Sequence, residues 1–102
     1  MRPLVALALT LLAACASPDR AYWGVDPVRV TIDGRDYSVH VRRDPPRPRV
    51  QVIRLGYARR AEHPAILLAM QRAAEQASGC TLTPGSISGD SGVMNARLSC
   101  AN

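Results

Sequence analysis

Two runs of alternating apolar and polar residues, joined by Asp33-Gly34, constrain the fold of this chain more than any other feature. Such alternation is typical of strands that bury one face. Asp-Gly between two such runs favours a type I′ turn, in which both central residues have positive φ. A two-residue loop at this point pairs Val30 with Tyr37 and Val28 with Val39, which places the apolar side chains of both strands on one face.

The remaining strands are predicted from prolines and from alternation. Asp44 to Pro48 contains three prolines, which lack the N–H that a central strand needs, so we expect an extended connector there. A third strand is predicted over residues 50–57. Two more strands are predicted near the C-terminus, one over residues 81–88 with an interruption at Pro84-Gly85 and one over residues 93–100.

One helix is predicted between the third and fourth strands. Pro64 fits its first turn, where a missing N–H costs nothing, and Gly79 follows Ser78 where a left-handed cap is expected. Its apolar stripe consists of Ile66, Leu67, Ala69, Met70, Ala73, Ala74 and Ala77. The order β-β-β-α-β-β predicts a small α+β domain, with one helix packed on one face of a mostly antiparallel sheet.

The N-terminus has the pattern of an export signal. Met1-Arg2-Pro3 carries one positive charge, and Leu4 to Ala14 is an apolar run of 11 residues. A membrane-spanning helix needs about 20 residues, whereas this length suits the apolar region of a secretory signal. The run ends in Leu12-Ala13-Ala14-Cys15, which resembles the lipobox of bacterial lipoproteins. That resemblance implies cleavage after Ala14, diacylglycerol on the Cys15 thiol and acylation of the new amino group.

The lipobox resemblance divides the chain into three parts: a signal peptide over residues 1–14, a lipidated tether over residues 15–26 and a folded domain over residues 27–102. Two or more acyl chains give stable anchoring, so we expect an envelope protein that faces the periplasm. By the same resemblance, Ala16 rather than Asp after the cysteine implies the outer membrane over the inner one. The tether contains Tyr22 and Trp23, which either rest on the lipid headgroups or fold back onto the core.

Cys80 and Cys100 predict a disulfide that staples the domain. With Cys15 taken by lipid they are an even pair in an oxidising compartment. The chain has no Phe and one Trp, so its core is thin, and small domains of this kind usually need a staple. A redox-active pair is more often Cys-x-x-Cys, a spacing that these two residues do not have.

The basic residues are all arginine, 13 in the chain against 8 acidic residues. Loss of Arg2 with the signal peptide leaves a net charge of +4. Within residues 42–60 a single acid, Asp44, accompanies seven arginines: Arg42, Arg43, Arg47, Arg49, Arg54, Arg59 and Arg60. Arginine pairs bidentately with carboxylate and phosphate, so this segment is the predicted partner-binding surface. A solvated surface without a partner is the alternative, and the compartment argues against nucleic acid.

No catalytic or metal-binding set emerges from the sequence. Gly89-Asp90-Ser91-Gly92 resembles the tetrad around the nucleophile of trypsin-like serine proteases, but Val93-Met94 departs from that family's Gly-Pro. We therefore interpret the tetrad as a turn between strands. His40 is expected at the surface, on the polar face of the second strand, and His63 just before the helix. A metal site needs three or four ligands, so we expect no metal and no cofactor.

These features together favour a non-enzymatic, membrane-anchored lipoprotein. It would dock on another envelope component, a protein or an anionic polymer, through the arginine-rich segment. One alternative is a small-ligand carrier or sensor in the periplasm, with a pocket between the helix and the sheet. A hydrolase that uses Ser91 or a histidine is the remaining alternative.

Overall fold

A computed structural model describes residues 18–44 and 46–100. The predicted signal peptide and its lipobox cysteine, Cys15, lie outside these residues. The strands and the helix are β1 (Val28–Ile32), β2 (Arg35–Arg42), β3 (Arg49–Arg54), α1 (His63–Ser78), β4 (Thr81–Leu82), β5 (Ser88–Gly89) and β6 (Val93–Ser99). This order confirms the predicted α+β arrangement. Within the described part, no helix has the length and apolar character needed to cross a bilayer.

The sheet is antiparallel throughout, with strand order β1-β2-β3-β6-β4 and with β5 also paired to β6. The predicted interruption at Pro84-Gly85 separates β4 from β5, since proline lacks a backbone donor. β3 is shorter than expected and ends at Arg54 rather than at Tyr57. The chain leaves the sheet there because Gly56 adopts a φ of 91°, which a strand does not allow.

The hairpin of β1 and β2 has the predicted register. Val30 lies opposite Tyr37 and Val28 opposite Val39. Asp33 and Gly34 both have positive φ, at 51° and 77°, as a type I′ turn requires. The predicted apolar face therefore lies on one side of the sheet, where it contacts α1.

The core lies between α1 and that face of the sheet. The helix contributes a narrow stripe of small and flexible side chains, whose buried members are Ile66, Ala69, Met70, Ala73 and Ala74. The sheet contributes side chains that include Val39, Val50, Val52, Met94 and Leu98. Gly79, with a φ of 72°, ends the helix, and its N–H donates to the carbonyl of Glu75 at 2.8 Å.

The predicted disulfide is present. Cys80 and Cys100 are bonded, and their Cα atoms lie 4.6 Å apart. The adjacent pair Thr81 and Ser99 is opposed across β4 and β6. The disulfide thus joins the end of α1 to the end of the closing strand, as expected for a staple on a small core.

Candidate functional site

The face of the sheet turned away from α1 is the main polar surface of the domain. Side chains alternate along a strand, and Val50 and Val52 of β3 belong to the core against α1. Their neighbours therefore point the other way. We call this side the outer face, and on the three central strands it is formed by Asp36, Ser38, His40, Arg42, Arg49, Gln51, Ile53, Val93, Asn95, Arg97 and Ser99.

Residues 18–25, the end of the predicted tether, cover the middle of the outer face. The backbone N–H of Asp19 donates to Gln51 Oε1 at 3.0 Å, and Gln51 Nε2 donates to Asn95 Oδ1 at 2.9 Å. Tyr22, in a 3-10 turn over Arg20–Tyr22, is buried on the same face. Gln51 is consequently fully buried with its amide satisfied.

The prediction that His40 lies at the surface is wrong. Only 4% of it is exposed, because the Tyr22 ring lies 6.4 Å from the imidazole. Ser38 Oγ lies 3.2 Å from its Nε2. Burial lowers the pKa of His40 below its ordinary value. Burial likewise raises the pKa of Tyr22, against the opposing effect of the nearby Arg49 guanidinium.

Trp23, next to Tyr22, follows a different course. Tyr22 folds back onto the sheet, as one of the two alternatives predicted, whereas Trp23 is 62% exposed. Its Nε1 donates to the carbonyl of Pro18 at 3.3 Å, and the Arg20 guanidinium lies 5.5 Å from the ring centroid. The indole is therefore held by its own segment and stays exposed, and it lines a groove together with Ser38 and His40 of the outer face.

Three arginines occupy directly opposed positions on β2, β3 and β6. Arg42 is paired with Arg49, and Arg49 is paired with Arg97. Opposed side chains on neighbouring strands are about 5 Å apart at Cβ, and like charges at such positions are destabilising. Arg47, in the connector, lines a shallow groove together with Arg97. We call Arg42, Arg47, Arg49 and Arg97 the arginine cluster.

Few carboxylates offset the arginine cluster. Asp44 Oδ2 lies 3.2 Å from Arg42 Nε, without the geometry of a hydrogen bond. Arg49 lies with its guanidinium 6.0 Å from the Tyr22 centroid, and its buried Nε has no hydrogen-bond partner within the described residues. Such a group of guanidinium ions is suited to phosphate or carboxylate.

The other predicted arginines lie elsewhere. Arg43 donates to the carbonyl of Ser78 at 2.7 Å, at the end of α1 where backbone carbonyls lack partners. Arg54 donates to the carbonyls of Gly56 and Ser91, at 3.2 and 3.0 Å. Both therefore support the fold.

Arg59 and Arg60 are exposed and precede α1. The next residue but one, Glu62, contacts Arg35 at the start of β2, whereas the arginine cluster lies at the end of β2. A strand rises about 3.3 Å per residue, so Glu62, and with it Arg59 and Arg60, is separated from the arginine cluster by roughly the length of β2. Sequence proximity grouped arginines that the sheet separates, and it missed Arg97, which β3–β6 pairing brings in.

Ser91 and His63 form a contact that the sequence did not reveal, since 28 residues separate them. Ser91 Oγ lies 2.8 Å from His63 Nδ1. Ser91 is buried, and its carbonyl accepts from Arg54. Asp90 Oδ1 instead accepts the N–H groups of the turn, and these bonds from Val93 and Gly92 lower the pKa of Asp90. Within the described part of the chain, no carboxylate hydrogen-bonds to His63.

An open cleft of about 350 Å³ lies where the hairpin meets the start of α1. Its lining is part apolar and part charged, with Ile32, Tyr37 and Ile66 beside the ion pair of Arg35 and Glu62. Among the residues that the structure describes, no three His, Cys, Asp or Glu side chains gather as metal ligands do.

A scan against protein-family models and searches of the curated proteins and of the solved structures find no match to this chain.

Proposed function

We propose that this protein is a non-enzymatic envelope lipoprotein, anchored by lipid on Cys15, whose domain binds an anionic envelope component through the arginine cluster. The observation that carries the proposal is the opposition of Arg42, Arg49 and Arg97 across three strands. A fold that places like charges at adjacent positions bears a cost, and a bound anion removes it. The lipobox resemblance supplies the compartment.

Two features support a binding role over a carrier role. The helix–sheet interface is filled by side chains with no exposed surface, among them Val39, Val52, Met70 and Met94. The cleft near the hairpin is open and partly charged, unlike the mostly apolar, enclosing pockets that hold small ligands.

The proposal is tested in cells by crosslinking and mass spectrometry of the tagged, lipidated protein. Arg47→Glu with Arg97→Glu reverses two exposed cluster charges, and Arg59→Glu with Arg60→Glu reverses two exposed charges outside it. We expect the first pair to lose the crosslinked component and the second pair to keep it. Equal crosslinking in both double variants, or a Cys15 peptide without diacylglycerol, contradicts the proposal.

The contact between Ser91 and His63 favours hydrolysis as a second candidate. A nucleophile within hydrogen-bond reach of a base is part of such a site, and an orienting group for the base completes it. We assign the contact to structure, because it joins the β5–β6 turn to the first residue of α1. A fluorophosphonate probe that labels the wild type but not Ser91→Ala would establish the hydrolase instead.

A further inference from the structure

We infer that the anionic component is the phospholipid headgroup layer of the leaflet that holds the anchor, against which the outer face lies flat. This inference rests on the proposed function, since it requires lipid on Cys15. The contact surface would consist of the arginine cluster, Arg20 and the exposed ring of Trp23, together with Arg29, which is exposed on β1 opposite Ser38 of the outer face.

The short chain between the anchor and the sheet carries the first step of the argument. Asp19 is fixed on Gln51, in the middle of the outer face, by its backbone N–H. Cys15 is four residues earlier in the chain, a separation that spans at most about 14 Å when fully extended. Arg49 lies two residues from Gln51 along β3, about 7 Å away. Lipid on Cys15 therefore keeps the outer face close to the bilayer surface.

The helix side of the domain cannot face the membrane as readily. α1 covers the other face of the sheet, and a helix with its side chains is about 10 Å across. A tether that starts on the outer face and spans about 14 Å at most would have to pass around the sheet before the helix could meet the membrane. Attachment of residues 18–25 to the outer face thus sets the orientation of the domain.

Charge distribution gives the second step. On the helix and hairpin side, two arginines are paired with carboxylates: Arg72 with Asp33 at 2.8 Å, and Arg35 with Glu62. On the outer face, the one ion pair among the described residues is that of Arg42 with Asp44. Among the described residues, Asp19 is the other carboxylate near the cluster, since it precedes the turn that holds Tyr22 against Arg49. The outer face therefore carries four arginines close together with few carboxylates beside them, and basic residues near an anionic bilayer bind it electrostatically.

Trp23 gives the third step. Tryptophan is enriched at membrane–water interfaces, where its ring meets the headgroups and its N–H is satisfied. Here the indole N–H donates to the carbonyl of Pro18, and the exposed ring, beside the Arg20 guanidinium, lines a groove with Ser38 and His40 of the outer face. An aromatic ring flanked by guanidinium groups, a few residues from a lipid anchor, fits the headgroup region.

The test uses Trp23 as the reporter, since it is the one tryptophan of the chain. The mature lipidated protein is inserted into vesicles of phosphatidylcholine alone, or of phosphatidylcholine with phosphatidylglycerol, and its fluorescence is quenched from the aqueous phase by acrylamide. We expect Trp23 to be shielded several-fold better in the anionic vesicles. In about 1 M salt, where the Debye length falls to about 3 Å, that difference should disappear.

The double variant Arg47→Glu with Arg97→Glu should lose the shielding, whereas Arg59→Glu with Arg60→Glu should keep it. Removal of two basic groups alone corresponds to an about 30-fold change in the equilibrium between the flat and detached domain. Equal quenching of the wild-type protein in both kinds of vesicle overturns the inference.

The result is distinguishable from failure of the proposed function. Equal quenching in both vesicles, with a cellular crosslink that still requires Arg47 and Arg97, overturns the membrane orientation and leaves another envelope anion as the partner. A Cys15 peptide without lipid overturns the anchor and both proposals with it.

Discussion

Tyr22→Ala is expected to detach residues 18–25 from the outer face while the rest of the domain stays folded. Tyr22 is the buried aromatic contact of this segment, with 4% of its surface exposed. The segment precedes β1, so it can leave the sheet without breaking any strand pairing. Local release of this kind is characteristic of segments that a few contacts hold.

The expected magnitude follows from those contacts. Burial of an aromatic side chain of this size is worth about 1.5–3 kcal/mol, and the Arg49 guanidinium over the ring adds about 0.5–1 kcal/mol. The hydrogen bond from Asp19 to Gln51, worth about 1 kcal/mol, cannot hold the segment alone. We therefore expect a loss of about 2–4 kcal/mol in unfolding free energy.

His40 provides the assay, because its pKa is lowered by the burial that the segment imposes. In Tyr22→Ala the pKa should rise toward the ordinary value of 6.5, measured by NMR titration of the imidazole. Since the folded pKa of the wild-type protein lies below that of the unfolded chain, its stability should fall as pH decreases below about 6.5. This dependence should weaken in the variant.

The matched control is Tyr57→Ala, since Tyr57 is 85% exposed. It should leave the pKa of His40 and the unfolding free energy unchanged. An unchanged pKa of His40 in Tyr22→Ala would refute the reasoning, because burial by the segment would then not be its cause.

Three further changes test the fold. Reduction of the Cys80–Cys100 disulfide, whose residues are 20 apart, should lower the unfolding free energy in urea by about 3 kcal/mol; a loss below about 1 kcal/mol contradicts the chain-entropy argument. Gly34→Ala, at a φ of 77°, should lower the unfolding free energy by about 1–2 kcal/mol and therefore lower the melting temperature. An unchanged melting temperature argues against the type I′ turn. Asp90→Ala should destabilise the protein at neutral pH. Because hydrogen bonds from Val93 and Gly92 lower the pKa of Asp90 from 3.8, the wild-type advantage should begin to decline as pH falls below 3.8 and should be lost below the lower pKa of the folded protein. An advantage that persists in stronger acid assigns it to another group.

The parts of the fold that depend on nearby residues could be predicted from the sequence. The hairpin register follows from Asp33-Gly34 and the alternation beside it, since a type I′ turn and a single buried face allow one pairing. The helix ends follow from Pro64 and Gly79 in the same local way. The sequence did not predict the end of β3 at Arg54. The positive φ of Gly56, which ends the strand, depends on the path from the sheet to α1, and nearby residues do not determine that path.

The candidate site could be predicted only in part, because it depends on strand pairing between distant segments. Arg42 and Arg49 flank one connector, so their opposition was accessible from the sequence, whereas Arg97 joins them through the pairing of β3 with β6. Alternation identified His40 as a residue on the polar face but could not reveal that a second layer covers that face. The polar side of a strand is exposed only where nothing packs against it. Here residues 18–25, next to the predicted anchor, pack against it. The residues that bury His40 are therefore the same ones that would orient the arginine cluster toward the membrane, so release of the segment by Tyr22→Ala should also abolish the shielding of Trp23 on anionic vesicles.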